Sequence, residues 1–267
     1  MMILNGGEEM RKIALIGLTC LVAMTISSVG LGRVTKDDFC AVWLFDEGTG
    51  KKVQDSSGNG NDGEIIGDLK WVDGKIGKGL EFPGESMNLV QVPNSDSLNP
   101  TKAITITAWV NLADSNGNRR IVQKSTPGSD NQYRLLLEWG SFKFDAGPGV
   151  SPKEVTTAIF STGEWHHVAG VYDGKEIAIY IDGEKVVHQD ASGEMTSSTG
   201  PLFIGAKWND PAHPGDYWKG ILDEIAIFNR GLTGDEIKEV MEGIGKVFAL
   251  NPEGKIAVSW GEIKSRY

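Results

Sequence analysis

GEWHHVAGVYDGKEIAIYIDGEKV, residues 163 to 186, sets two Asp-Gly pairs among short runs of alternating apolar residues. Asp173-Gly174 and Asp182-Gly183 are pairs that tolerate the positive φ angles of tight hairpin turns, and the runs around them alternate with period two. Ile177, Ile179 and Ile181 therefore share one face of a strand, with Ala178 and Tyr180 on the other. Meanders of this kind build two-sheet sandwiches, so recognition on a sheet face or loop rim is expected ahead of catalysis.

Working outward, Ile104, Ile106, Ala108 and Val110 alternate with Thr105, Thr107 and Trp109, a strong strand pattern. Further strands are expected at Phe39 to Phe45, in pieces of Leu80 to Val92, and at Ile121 to Lys124, Tyr133 to Glu138, Ser141 to Asp145, Ala158 to Phe160, Leu202 to Gly205 and Ile221 to Phe228. One short helix is credible: Thr233 and Glu236 have the spacing of a capping box, Ile237, Val240 and Met241 line one face, and Gly243 ends it. After Gly245 a tail, residues 246–267, holds a possible hairpin around Asn251 to Gly254, with Ile256, Val258 and Trp260 alternating. No internal repeat is present. The expected fold is all-β: a two-sheet antiparallel jelly-roll β-sandwich with one short C-terminal helix.

With 267 residues, 40% hydrophobic and 23% charged, one large all-β domain is the default. A formal charge of −10 disfavours nucleic-acid and anionic-membrane partners and suits a cation. Arg11 and Lys12 precede an apolar run from Ile13 to about Val29 that ends in small residues, the layout of an export signal. Residues 1–32 are assigned to it, with cleavage near Ser28-Val29-Gly30 or Gly30-Leu31-Gly32; Glu8 and Glu9 ahead of it point to translation starting at Met10. The alternative is a retained anchor, for which the run is near the short end. The expected location is secreted or periplasmic, with no membrane contact after signal removal. Removing the signal leaves Cys40 as the only cysteine, so no internal disulfide forms, and Cys40 is expected to be a buried small hydrophobe.

Taken together, WLFDEGTGKKVQDSSGNGNDGEI, GKIGKGLEFPGESMNLVQVP, ITITAWVN, GEWHHVAGVYDGKEIAIYIDGEKV and YWKGILDEIAIFNRGLTGDEIKEVM resemble, in order, the LamG-like jelly-roll domains of the concanavalin A-like lectin/glucanase superfamily, in the bacterial, pentraxin-related branch. The resemblance covers about residues 39 to 243, within a domain placed at 33–245. It implies two antiparallel sheets and a carbohydrate-binding or adhesion role in a secreted protein. The paired cysteines common in this branch are absent, so packing must hold the loop they would tie.

The turn-rich segment from Asp55 through Asn59 to Asp62 places carboxylate and amide oxygens on a glycine-rich loop, which suits a hard cation such as calcium. It is not an EF-hand, because Ile66 stands where the bidentate glutamate belongs. Relatives often hold a structural calcium between the first and last strand regions, which makes Asp46 and Asp223 possible partners; turn geometry alone is the alternative use of these residues. His166 and His167 are strand neighbours that point to opposite faces, and His188 and His213 stand alone, so no zinc signature arises. A glycosidase needs two carboxylates on one face, and the Glu-x-Asp-x-x-Glu cluster of related glucanases is missing. Glu138 reads as an isolated acid solvating a strand edge, and the adjacent side chains of Asp223 and Glu224 diverge.

For sugar binding, an aromatic plane flanked by amides and carboxylates is the useful chemistry. KWNDPAHPGDYWKG supplies Trp208, Asn209, Asp210 and Tyr217 as a candidate rim, with Asp216 nearby, while Trp218 reads as core, as do Trp43, Trp109 and Trp165. The expected function is non-catalytic binding of a glycan, with calcium as a possible structural cofactor. The alternative is a protein-interaction or assembly module docking a cell-surface or extracellular protein through its tail, and a diverged glycoside hydrolase comes third.

Overall fold

In the computed structural model the described residues are 33–85, 87–126, 131–207 and 216–249. The strands are, in chain order, β1 (Phe39–Trp43), β2 (Lys52–Val53), β3 (Gly63–Ile66), β4 (Lys70–Asp73), β5 (Lys78–Pro83), β6 (Leu89–Val92), β7 (Ile104–Leu112), β8 (Arg119–Ser125), β9 (Asn131–Glu138), β10 (Ser141–Asp145), β11 (Val150–Ser151), β12 (Glu154–Ala158), β13 (Trp165–Tyr172), β14 (Glu176–Ile181), β15 (Glu184–Asp190), β16 (Ser192–Gly193), β17 (Leu202–Ile204) and β18 (Lys219–Phe228). Helices α1 (Gly234–Met241) and α2 (Ile244–Ala249) follow. Sheet A has eight strands in the order β15-β14-β13-β7-β18-β5-β4, with β1 also on β18; sheet B has eight in the order β12-β10-β9-β8-β17-β6-β3-β2; β11 and β16 form a small ribbon.

The segment 163–186 is the β13–β14–β15 meander, paired with Val168 opposite Ile181 and Tyr172 opposite Ile177. Its two Asp-Gly pairs differ. Asp182 (φ 52°) and Gly183 (φ 81°) form a two-residue turn with both angles positive, whereas at the first pair only Gly174 is positive (φ 91°). There Tyr172 pairs with Ile177, so a longer loop intervenes, and Asp173 Oδ1 accepts the N–H groups of Lys175 (2.8 Å) and Glu176 (2.7 Å).

Ile177 and Ile179 enter the core between the sheets with Ile106, Leu135, Leu137, Phe142 and Phe144, and each such side chain contributes about 1.5–3 kcal/mol by leaving water. Gly170 of β13 is needed at this contact: a Cβ there would lie 2.3 Å from the Phe144 ring of the opposite sheet. The other face of the meander is equally apolar. Ala169, Val171, Ala178, Tyr180, Ala226 and Phe228 pack under Leu232, Ile237, Val240 and Ile244, so α1 and the start of α2 cover the outer face of sheet A. The expected capping box forms, Glu236 N donating to Thr233 Oγ1 (3.4 Å) and Thr233 N to Glu236 Oε2 (2.8 Å), and Arg230 clamps Glu236 from the side (2.8 Å).

Several local expectations are corrected. The strand placed at Ala158 to Phe160 runs earlier, as Glu154–Ala158, because its partner β10 pairs Ser141 with Ala158 and Asp145 with Glu154. A second short helix follows the expected one, as Ile244–Ala249, and the Ile244 N–H is taken by Glu224 Oε2 at 2.8 Å. Trp165 is half-buried rather than core, while Trp43, Trp109 and Trp218 are buried as expected and Cys40 is buried and free. The hairpin expected at Asn251 to Gly254 lies outside the described residues.

Candidate ligand-binding face

Sheet B carries the candidate face because of simple alternation. Leu135 and Leu137 of β9 and Phe142 and Phe144 of β10 point into the core, so Arg134, Leu136, Glu138, Lys143 and Asp145 take the outer side. Arg120 of β8, paired with Leu136, is 1% exposed and donates Nη2 to both Glu138 Oε1 (3.1 Å) and Asp216 Oδ2 (3.0 Å). Lys143 lies 3.3 Å from Glu138 Oε2 and 3.8 Å from Glu154 Oε1. Arg134 bonds Asp145 at 2.9 Å and approaches Glu154 at 3.9 Å, and Lys207 lies 3.9 Å from Asp216. Each cation of the row is thus matched by a carboxylate. Glu138 sits between β8 and β10 on an interior strand, so its expected role of solvating an edge is replaced by ion pairing. Burial pushes its carboxyl up, but Arg120, Arg134 and Lys143 outweigh this and hold it below its ordinary value.

Toward the other edge of the same sheet, Lys51, Lys52, Asp62, Gly63, Glu64, Ile66, Gln91 and Pro93 line an open groove of about 560 Å³, within the size range of small-ligand sites. Lys52 is paired with Asp62 (2.7 Å), whereas Lys51 Nζ donates to the backbone carbonyl of Gly67.

The metal candidates fall into two separate groups. Asp55 is buried and its two oxygens accept four protein donors: Val42 N and Ser57 N on Oδ1, both 2.9 Å, and Ser57 Oγ (2.8 Å) and Asn61 N (2.9 Å) on Oδ2. Asn59 turns its Nδ2, not its oxygen, to the carbonyls of Phe39 (2.8 Å) and Cys40 (3.1 Å), and Asp62 accepts from Asp55 N (2.8 Å) besides Lys52. This loop is closed by its own hydrogen bonds and does not fit a cation.

Asp46 and Asp223 are different. Strand β18 pairs with β5 over Lys219–Leu222 and with β1 over Ile225–Phe228, and Asp223 occupies the bulge where the partner changes. Asp223 is fully buried, accepts Ile76 N (2.9 Å) and Glu224 N (2.8 Å), and Asp46 Oδ1 accepts Lys78 N (2.9 Å) beside it. Burial pushes the Asp223 carboxyl up to about 8 against the Ile76 N–H it accepts, and the charges of Glu224 and Asp46 add to the rise. Gly74 lets the β4–β5 turn approach this carboxylate closely: a Cβ there would lie 2.4 Å from Lys78 O and 2.5 Å from Asp223 Oδ2. Among the described residues no three His, Cys, Asp or Glu side chains converge, so a cation here would take these carboxylates with backbone carbonyls.

Of the expected sugar rim, Trp208, Asn209 and Asp210 lie outside the described residues, as does His213. Tyr217 is not on a rim: it is 3% exposed and packs with Leu89, Phe203 and Ala206 on the outer side of sheet B, while Trp218 enters the core. Among the described residues the exposed aromatic is instead Trp139, 84% exposed, in the β9–β10 turn. The signal for it was present, since strands ending at Glu138 and resuming at Ser141 leave Trp139-Gly140 as a two-residue hairpin turn.

Spacing in the sequence did not reveal a second constellation. Ser161 Oγ lies 2.7 Å from His166 Nε2, and His166 Nδ1 lies 2.8 Å from Asp182 Oδ2, the order of a nucleophile, base and orienting acid. Its surroundings do not favour acyl transfer. Ser161 Oγ also donates to Glu164 Oε2 at 3.0 Å, which puts negative charge where an oxyanion needs donors, and the nearby Gly163 N–H is spent on Leu112 O (2.8 Å). His167, pointing the other way, is buried edge-on to Trp109 with ring centroids 5.3 Å apart.

The profile of the family Laminin_G_3, of the concanavalin A-like lectin/glucanases superfamily, matches residues 84–238. The human pentraxin-related protein PTX3 is 26% identical over 162 residues, a match covering 57% of this chain and 41% of that protein's length. Domain 4 of AbnA, an extracellular GH43 arabinanase of Geobacillus stearothermophilus solved with arabinotriose, superposes with a TM-score of 0.62 at 22% identity, covering 76% of this chain and 98% of that one. The ligand-binding domain of botulinum neurotoxin serotype D, solved with N-acetylneuraminic acid, gives 0.59 at 14% identity, covering 79% and 52%. At these identities the structures share the fold.

Proposed function

Because this chain belongs to the concanavalin A-like lectin/glucanases superfamily, we propose that it is a non-catalytic, exported module that binds carbohydrate on the outer face of sheet B. The observation that carries the reading is the contrast between the faces: helices cover sheet A, whereas sheet B presents an ion-paired polar row and a groove of about 560 Å³. Hydroxyl-rich ligands suit such a row, since paired guanidinium and carboxylate groups donate and accept in fixed directions. Glycosidic cleavage needs a carboxylic acid held protonated near neutral pH. Glu138 is held the other way, and Asp223, the carboxyl raised to about 8, is fully buried at the β18 bulge away from the proposed face, which supports binding without turnover.

A calcium ion belongs to this reading as a structural tie, with Asp46 and Asp223 as its carboxylates in place of the wider set that included Asp55, Asn59 and Asp62. Bound there, it would neutralise the buried Asp223 and pin the β4–β5 turn to β18. Export rests on the basic and apolar pattern of residues 11 to 29. No helix among the described residues is long and apolar enough to cross a membrane.

The test is a glycan array probed with the purified protein, with calcium and again with chelator. Binding to a defined glycan class is expected, and a chelator that lowers the melting temperature while binding persists at low temperature would give calcium the structural role. No binding under either condition sinks the carbohydrate reading and moves the assignment to a protein partner.

A further inference from the structure

Resting on the carbohydrate reading, we infer that Trp139 is the stacking platform of the site and that its ligand is an uncharged, hydroxyl-rich oligosaccharide. Two hairpin turns of the same type make the case. Trp139 (φ 53°) and Gly140 (φ 73°) repeat the backbone of Asp182 (φ 52°) and Gly183 (φ 81°), each joining strands through two residues with positive φ. Asp182 suits that backbone, and its carboxylate is used: it bonds His166 Nδ1 (2.8 Å) and His167 N (2.9 Å), while Gly183 lies under Lys238 of α1.

Among the described residues nothing comparable holds Trp139. Its N–H donates to Asn118 Oδ1 (3.0 Å), but the ring is 84% exposed and nothing lies within 4 Å of where a side chain on Gly140 would begin. A bulky residue in the left-handed region is strained, and an exposed indole gains nothing from burial. Stability alone would place Asn or Asp there. The strain and the exposure together mark a group held ready for something outside the chain, and an indole face suits the C–H face of a pyranose.

The ligand class follows from the adjoining charges. Trp139 joins β9 to β10, the strands that carry Glu138 and Lys143. In that row every cation already faces a carboxylate, so the row beside Trp139 holds no unmatched positive charge for a sialic acid, uronate or sulfate, and the chain's net charge of −10 adds long-range repulsion.

The experiment compares the full chain with Trp139→Asn and Trp139→Phe on an array of neutral and acidic glycans, alongside thermal melts. Trp139→Asn is expected to melt about 2–4 °C higher, since it relieves the turn, and to bind neutral glycans about tenfold more weakly. Trp139→Phe is expected to keep most of the binding. If Trp139→Asn binds as well as the parent, or melts lower, the platform is overturned while the carbohydrate reading stands. A parent protein selecting acidic glycans alone overturns the ligand class, and one that binds no glycan overturns both this inference and the reading beneath it.

Discussion

The outer faces of the two sheets are built from similar strands and end in opposite states. On sheet A the outward residues Ala178, Tyr180 and Phe228 are apolar and lie under α1, whose Ile237 and Val240 are buried against them. On sheet B the outward residues Arg134, Glu138 and Lys143 are charged and remain 14%, 17% and 17% exposed in their side chains. Period-two alternation is the same on both. What differs is whether the second face is apolar enough to bind a helix: on sheet A it is, and on sheet B the outer side divides between the charged row and the cluster of Leu89, Phe203 and Tyr217.

The contrast can be broken from the sheet A side first. Phe228→Ala, at a fully buried ring 4.6 Å from Phe39, is expected to cost about 3–5 kcal/mol in urea unfolding. A cost below about 1 kcal/mol would mean that the helices do not seal this face.

Acid probes the same face next. Burial holds His167 down to about 4, despite the pull of Asp182. Because the folded value lies below the ordinary 6.5, the stability it supports is present above pH 6.5 and is lost as pH falls through about 4. The whole change is about 3 kcal/mol at 1.36 kcal/mol per pKa unit. Asp223, pushed up to about 8, acts oppositely, losing its contribution as pH rises from 3.8 toward 8. The effect is therefore read as the difference between the parent and His167→Leu between pH 7 and 4, and equal slopes would place solvent beside the ring.

On sheet B, Arg120→Met removes the buried guanidinium shared by Glu138 and Asp216. Those carboxylates are partly exposed, so the loss is expected to be about 2 kcal/mol, less than for a fully buried pair. The double variant Arg120→Met with Glu138→Gln is expected to recover part of it, and no recovery would show that the row is not coupled. The smallest effect is at the cap: Thr233→Ala is expected to lower stability by about 1 kcal/mol in the same unfolding assay, through loss of the Glu236 N–H bond.

Legibility followed the range of the interactions. Ser141 to Asp145 was read to the residue, because alternation and a two-residue turn are properties of neighbours. The capping box was legible for the same reason. Arg120 and Asp216 are 96 residues apart, and Ile76 and Asp223 are 147 apart, so neither contact leaves a trace in local spacing. The loop at Asp55 looked like a cation site because turn-forming oxygens and ligating oxygens are the same residue types. Only the positions of the N–H groups separate the two uses, and here four protein donors occupy them. Tyr217 looked like a rim aromatic from its polar neighbours, yet the chain's return over β6 and β17 packs it on Leu89 and Phe203.

By itself the sequence determined the all-β class, the main strands, the hairpin turns and the capped helix, since side-chain period, turn conformation and capping act within a few residues. Tertiary structure alone decided which sheet face the helices cover, which carboxylates are paired, which lies buried at the β18 bulge, and which of the described tryptophans stays in water. Those outcomes depend on segments distant in the chain meeting in space, where burial and charge are set by the neighbour across the gap rather than by the next residue along.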